Sequence, residues 1–151
     1  MPTPIMIAPR TLLIGIGNLS RGDDGLGWAL LEAVAPFCPP DYSLEYRYQL
    51  MLEDAELLSR FDRVLFADAS MAPIPDGAAL ERCTPRADAH ISTHRADPAA
   101  LLYLCETLYG HQPEAWLLAM QGFSWELGDH LSAQAETSLR RGCDLATAWV
   151  L

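Results

Sequence analysis

The chain has 151 residues, half of them hydrophobic, which suits a single domain with a full core. Its formal net charge of −10 argues against a nucleic-acid partner, because phosphate backbones demand a basic face. No apolar run approaches the ~20 residues of a membrane span. The widely spaced Cys38, Cys83, Cys105 and Cys143 contain no C-x-x-C pair and read as buried thiols rather than disulfides or zinc ligands.

Residues 1–10 are broken by Pro2, Pro4 and Pro9 and lack a basic n-region. They are expected to be a short disordered lead and not a signal peptide, which places the protein in the cytoplasm. Residues 11–16 form an apolar, β-rich run. It breaks into a glycine-rich polar loop and resumes at Leu26 as a helical pattern, with Leu26, Leu30, Val34 and Phe37 on one face and Pro39-Pro40 as the stop. Strand, loop and helix open an α/β domain.

Residues 42–49 alternate Tyr42, Leu44, Tyr46 and Tyr48 against Ser43, Glu45 and Arg47, as in a strand near a sheet edge. A short helix with acids at its start is expected over 53–60. The nearly continuous apolar run over 63–70 predicts a buried central strand with Asp68 at its carboxyl end. A turn through Pro73, Pro75 and Gly77 leads to a strand over 78–83, and 84–95 is polar and irregular. Asp97-Pro98 starts a helix that ends at Gly110. Residues 115–120 predict another buried strand. Leu131, Ala135, Leu139, Gly142, Leu145, Ala146 and Trp149 form the stripe of a long last helix. The expected fold is one three-layer α/β/α domain over 1–151, a mostly parallel twisted sheet of about five strands with helices on both faces. A monomer is expected.

The loop after the first strand fits neither common phosphate-binding pattern. After Gly15 and Gly17 the third position of G-x-G-x-x-G is Ser20, and a phosphate loop needs a lysine that this chain lacks altogether. Asp23 and Asp24 at the start of a helix either serve its dipole as caps or hold a cation. Ligands of open α/β sheets bind outside the carboxyl ends of strands. Asp24 follows the first strand, Asp68 ends a central one, and His94 lies in the irregular segment before the next helix. Two carboxylates and an imidazole suit a divalent metal such as nickel or zinc, with coordination positions left open. The alternatives are that Asp68 caps the following turn and that His94 is a surface histidine. His90 and His94 have zinc-protease spacing, but Ile91 stands where the catalytic glutamate of H-E-x-x-H belongs. There is no G-x-S-x-G elbow, and the absence of lysine excludes serine–lysine catalysis. A cysteine–histidine pair stays open, although the cysteines fall on apolar faces. For a hydrolase, metal-bound water is the better candidate.

Gly15-Ile16-Gly17-Asn18, Asp23-Asp24-Gly25-Leu26-Gly27, Phe66-Ala67-Asp68-Ala69 and Ser92-Thr93-His94 together resemble the hydrogenase maturation endopeptidases, from Thr11 to the C-terminus. The resemblance implies a peptidase that removes a C-terminal peptide from the large-subunit precursor of a nickel–iron hydrogenase after nickel insertion. It implies that Asp24, Asp68 and His94 are the metal-contacting and catalytic positions. The nickel would be supplied by the substrate, and the site would be empty in the purified protein. Gly17, Asn18, Asp23, Gln49 and Glu53 are the expected substrate-binding positions. The first ligand is glutamate in some members and aspartate here, which keeps the charge and shortens the reach. Many members carry a glycine-threonine-glycine element after the second strand. Here the region from Tyr48 to Ala55 has none, and Gln49 and Glu53 either line the site or begin a solvated helix. Two other readings are a non-catalytic nickel-site chaperone of the precursor and a small-molecule metal-dependent α/β hydrolase with a resident metal.

Overall fold

The structure is a computed structural model that describes residues 7–87, 91–92 and 95–151. Of the lead, Arg10 is tied to the domain. Its N–H donates to the Asp62 carboxylate at 2.8 Å, and its carbonyl accepts from the N–H groups of Asp62 and Arg63. This seats the start of β1 (Thr11–Ile16), whose residues are all buried.

A 3-10 turn over Gly22–Gly25 leads into α1 (Leu26–Val34). Then come β2 (Ser43–Arg47), the short α2 (Asp54–Leu58) and β3 (Arg63–Ser70). β4 (Ala78–Cys83) is followed by a two-stranded antiparallel pair, β5 (Ile91–Ser92) and β6 (Arg95–Ala96). α3 (Pro98–Tyr109), β7 (Glu114–Gln121) and α4 (Ala133–Val150) complete the chain.

The main sheet has five strands in the order β2-β1-β3-β7-β4. β2, β1, β3 and β7 are parallel, and β4 runs antiparallel on β7 at the edge. The side-chain period of two sends alternate residues of a strand into two separate cores. Leu12, Ile14 and Phe66 pack with Leu58 of α2 and with Leu101, Leu102 and Cys105 of α3. Leu13, Leu65 and Leu118 pack with Leu26, Leu30 and Leu31 of α1 and with Ala135 and Ala146 of α4. This is the expected three-layer arrangement, with the expected β2 at one edge and β3 in the middle.

Helix ends follow local chemistry. The Asp97 side chain accepts from the Ala99 N–H at 2.8 Å, Pro98 occupies the first turn, and Gly110 closes α3 at φ +64°. α1 is shorter than its pattern suggests. It ends at Val34 and tightens into a 3-10 turn over Ala35–Phe37, because Pro36 has no N–H to continue the ladder. Phe37 therefore leaves the buried face and is 67 % exposed. β2 is also shorter than predicted, and Tyr48 stands beyond it, exposed. No described helix is long and apolar enough to cross a membrane.

Candidate functional site

The loop after β1 is built around contacts that admit no side chain. Gly17 extends the β1–β2 ladder by one bond, N–H to the Arg47 carbonyl at 2.9 Å, and then turns at φ +144°. A Cβ there would lie 1.8 Å from the Asp24 carbonyl oxygen, so the position requires glycine. Asn18 donates its N–H to Asp24 Oδ2 at 2.8 Å, and Asp24 donates its own N–H to the Arg21 carbonyl at 3.1 Å. At Gly27 an added Cβ would meet the carbonyl oxygens of Ala67 at 2.4 Å and Ile16 at 2.5 Å. The first turn of α1 is thus pressed against the ends of β1 and β3, which brings the Asp24 loop beside Asp68. In the parallel register Gly15 lies opposite Ala67, so Asp68 is level with Ile16 at the carboxyl end of the sheet.

A cleft of about 440 Å³ opens there, with Gly17, Arg21, Asp24, Gln49 and Asp68 among its lining residues. Two of the three expected metal-contacting residues, Asp24 and Asp68, therefore face one space. The third, His94, lies outside the described residues. Asp24 keeps Oδ1 without a hydrogen bond among the described residues. Asp68 Oδ1 accepts from the N–H of Ala69 at 2.8 Å. Two carboxylates supply hard oxygen donors for part of a divalent coordination sphere. Among the described residues no three candidate ligands are grouped closely enough to hold a metal ion. Neither loop acid caps α1 through a side-chain hydrogen bond, and both stand in the 3-10 turn that precedes it.

Asp23 departs from its expected substrate-binding role. Its carboxylate is fully buried and accepts four hydrogen bonds. The N–H groups of Phe123 and Ser124 bond Oδ2 at 2.7 and 2.9 Å, the Ser132 N–H bonds Oδ1 at 2.7 Å, and the Ser132 hydroxyl bonds Oδ2 at 2.7 Å. Burial pushes the carboxyl pKa up, but these bonds outweigh it and hold it below its ordinary 3.8. Backbone bonds strengthen the same seam: Gly22 N–H to the Gly128 carbonyl at 2.9 Å, Asp23 N–H to Ser124 at 2.9 Å, and Gly128 N–H to Ser20 at 3.0 Å. Asp23 is thus a latch between the Asp24 loop and the segment after β7, and it brings Trp125 to the cleft.

Glu53 stands at the N-cap of α2, the solvated helix start that was one of its two readings. It is exposed, precedes α2 without a side-chain cap, and does not line the cleft. Asn18 serves the site through its backbone, while its side-chain Oδ1 accepts from the Ser20 N–H at 2.9 Å. Arg21, Met71 and Trp125 line the cleft and were not expected from sequence. Their signal was positional: each lies on a loop that follows the carboxyl end of a parallel strand.

No cysteine lines this cleft. Burial raises all four thiol pKa values, and Cys83, with Asp97 adding to the effect, is pushed up to about 11. None is an activated thiolate of the kind a cysteine–histidine mechanism uses.

No protein-family model matches the chain, and no curated protein sequence does either. Solved structures do. The hydrogenase maturating endopeptidase HybD from E. coli superposes with a TM-score of 0.73 at 21 % identity, covering 93 % of this chain and 91 % of that one. A NiFe hydrogenase maturation protease, HycI from Thermococcus kodakarensis, gives 0.69 at 23 % identity, covering 93 % and 92 %. A hydrogenase 2 maturation peptidase from a Thaumarchaeota archaeon gives 0.68 at 23 %, covering 93 % and 97 %. At such identities the shared property is the fold, and the chain therefore has the fold of the hydrogenase maturation endopeptidases.

Proposed function

We propose that this protein is an endopeptidase that removes the C-terminal extension from the large-subunit precursor of a nickel–iron hydrogenase once nickel has been inserted. The observation that carries the reading is the pair Asp24 and Asp68, presented into one cleft at the carboxyl end of the sheet on this fold. The nickel belongs to the substrate. Asp24 and Asp68, with His94 as the third ligand, grip it and so register the precursor against the cleft. The metal serves as the recognition element, and it can also polarise the scissile carbonyl or activate water.

The surroundings of the cleft support a protein substrate rather than a small molecule. Tyr48 and Met71 line it while 65 % and 77 % exposed, and Leu52 and Phe123 are exposed on the segments that carry its lining residues Leu50 and Trp125. Exposed apolar side chains at a cleft that also carries charged groups suit the docking of a protein surface.

The test is incubation with nickel-loaded and nickel-free precursor at equal concentration, followed by intact mass of the large subunit. Loss of the C-terminal peptide from the nickel-loaded form alone is expected. Equal cleavage of both forms would remove the metal from its role in recognition. Binding without cleavage would favour the chaperone reading.

A further inference from the structure

We infer that Arg21 is a catalytic residue of the proposed peptidase, donating to the oxygen that becomes negative when the scissile carbonyl is attacked. The inference rests on the endopeptidase reading above. Arg21 is the only cationic side chain among the described residues lining the cleft. Asp24 donates its N–H to the Arg21 carbonyl at 3.1 Å, the i to i+3 bond of a 3-10 turn. Arg21 is the residue that caps this turn, and both it and Asp24 line the same cleft.

They do not neutralise each other. Asp24 Oδ2 is engaged by the Asn18 N–H at 2.8 Å, and the Arg21 guanidinium makes no ion pair or hydrogen bond among the described residues. Most other described arginines are engaged: Arg47 with Glu45 and Asp54, Arg60 with Glu56, Arg63 and Arg82 with Glu114. The Arg21 backbone, by contrast, is held firmly. Its N–H donates to the Asn18 carbonyl at 3.1 Å, and it bridges to Gly128. A charged donor on a fixed base, beside carboxylates assigned to a cation, gives the cleft two poles. The carboxylates suit the metal-bearing part of the substrate, and the guanidinium suits an oxygen carrying negative charge.

Peptide hydrolysis supplies that oxygen. As water bonds to the carbonyl carbon, the π pair moves onto the carbonyl oxygen, which accepts from the guanidinium. Return of the pair breaks the C–N bond, and the nitrogen leaves as an amine carrying a proton from the water. A donor aimed at the developing oxyanion acts mainly in the transition state, so its loss lowers kcat more than it raises KM.

The experiment compares wild type, Arg21→Ala and Arg21→Lys on nickel-loaded precursor, with kcat and KM measured separately and the thermal midpoint as a fold control. Because the guanidinium holds no partner among the described residues, all three should melt together. Arg21→Ala should lower kcat about 10²- to 10³-fold with KM little changed. Arg21→Lys should recover part of the rate, and added guanidinium ion should rescue Arg21→Ala but not wild type. Undiminished kcat in Arg21→Ala, or a loss confined to KM, overturns this inference while leaving the peptidase reading intact. Failure of the wild type to cut nickel-loaded precursor overturns that reading and this inference together.

Discussion

Asp23 and Asp24 are adjacent, identical in chemistry and opposite in use. Asp23→Asn keeps the shape but sets an amide nitrogen against N–H donors. It is expected to cost about 2–4 kcal/mol, read as a lower urea midpoint at pH 7. The pH dependence has a definite sign. The folded carboxyl pKa lies below its ordinary 3.8, so between the two values the unfolded chain binds more protons. The stabilisation is complete well above pH 3.8 and is lost as pH falls through the folded value. The gap between wild type and Asp23→Asn should therefore narrow in acid. Asp24→Ala and Asp68→Ala, at the carboxyl end of the sheet, should instead melt within about 1–2 kcal/mol of wild type, and should not process nickel-loaded precursor. His94→Ala with a normal rate would break the three-ligand assignment. The strand-end positions of Asp24 and Asp68 made both legible in the sequence. The inward turn of Asp23 was not legible, because its partners Phe123, Ser124 and Ser132 lie a hundred or more residues downstream.

At the scale of elements, the contact of α1 with the strand ends governs the site. Gly27→Ala would place a methyl 2.4 and 2.5 Å from two backbone carbonyl oxygens, which cannot yield as a flexible side chain can. The helix must lift, and the Asp24 loop with it. We expect a loss of about 1–3 kcal/mol from overpacking together with a fall in processing rate. Gly110→Ala is the control. It strains a left-handed residue at the end of α3 with nothing within 4 Å, and should cost about 1 kcal/mol with no effect on rate. Sequence pattern located β3 and the cap of α3 well, because an unbroken apolar run and an Asp-Pro pair leave few alternatives. It overran α1 and β2, where Pro36 and the exposed Tyr48 mark ends that periodicity alone does not show. Nor does alternation distinguish a parallel from an antiparallel strand, so the direction of β4 came from the structure.

For the whole molecule, the proposed recognition through both the cleft and the apolar side chains at its edge implies that neither part suffices alone. A synthetic peptide spanning the cleavage point offers no metal to Asp24 and Asp68 and little surface to Tyr48, Met71 or Phe123. It should remain whole by mass spectrometry under conditions that process the nickel-loaded precursor, because it bears the orientation entropy that anchoring would offset. Elemental analysis of protein purified without added metal should find little nickel or zinc. A stoichiometric zinc would favour the resident-metal hydrolase. The seam that joins residues 20–24 to 124–132 also sets an order of events during biosynthesis. The ribosome delivers Asp24 early, but the partners that fix its loop emerge about a hundred residues later. A nascent chain stalled before Ser132 carries both cleft carboxylates and lacks the clasp that orients one of them. Processing competence is therefore expected to arrive abruptly, once Ser132 has emerged, and not to build up as the chain lengthens.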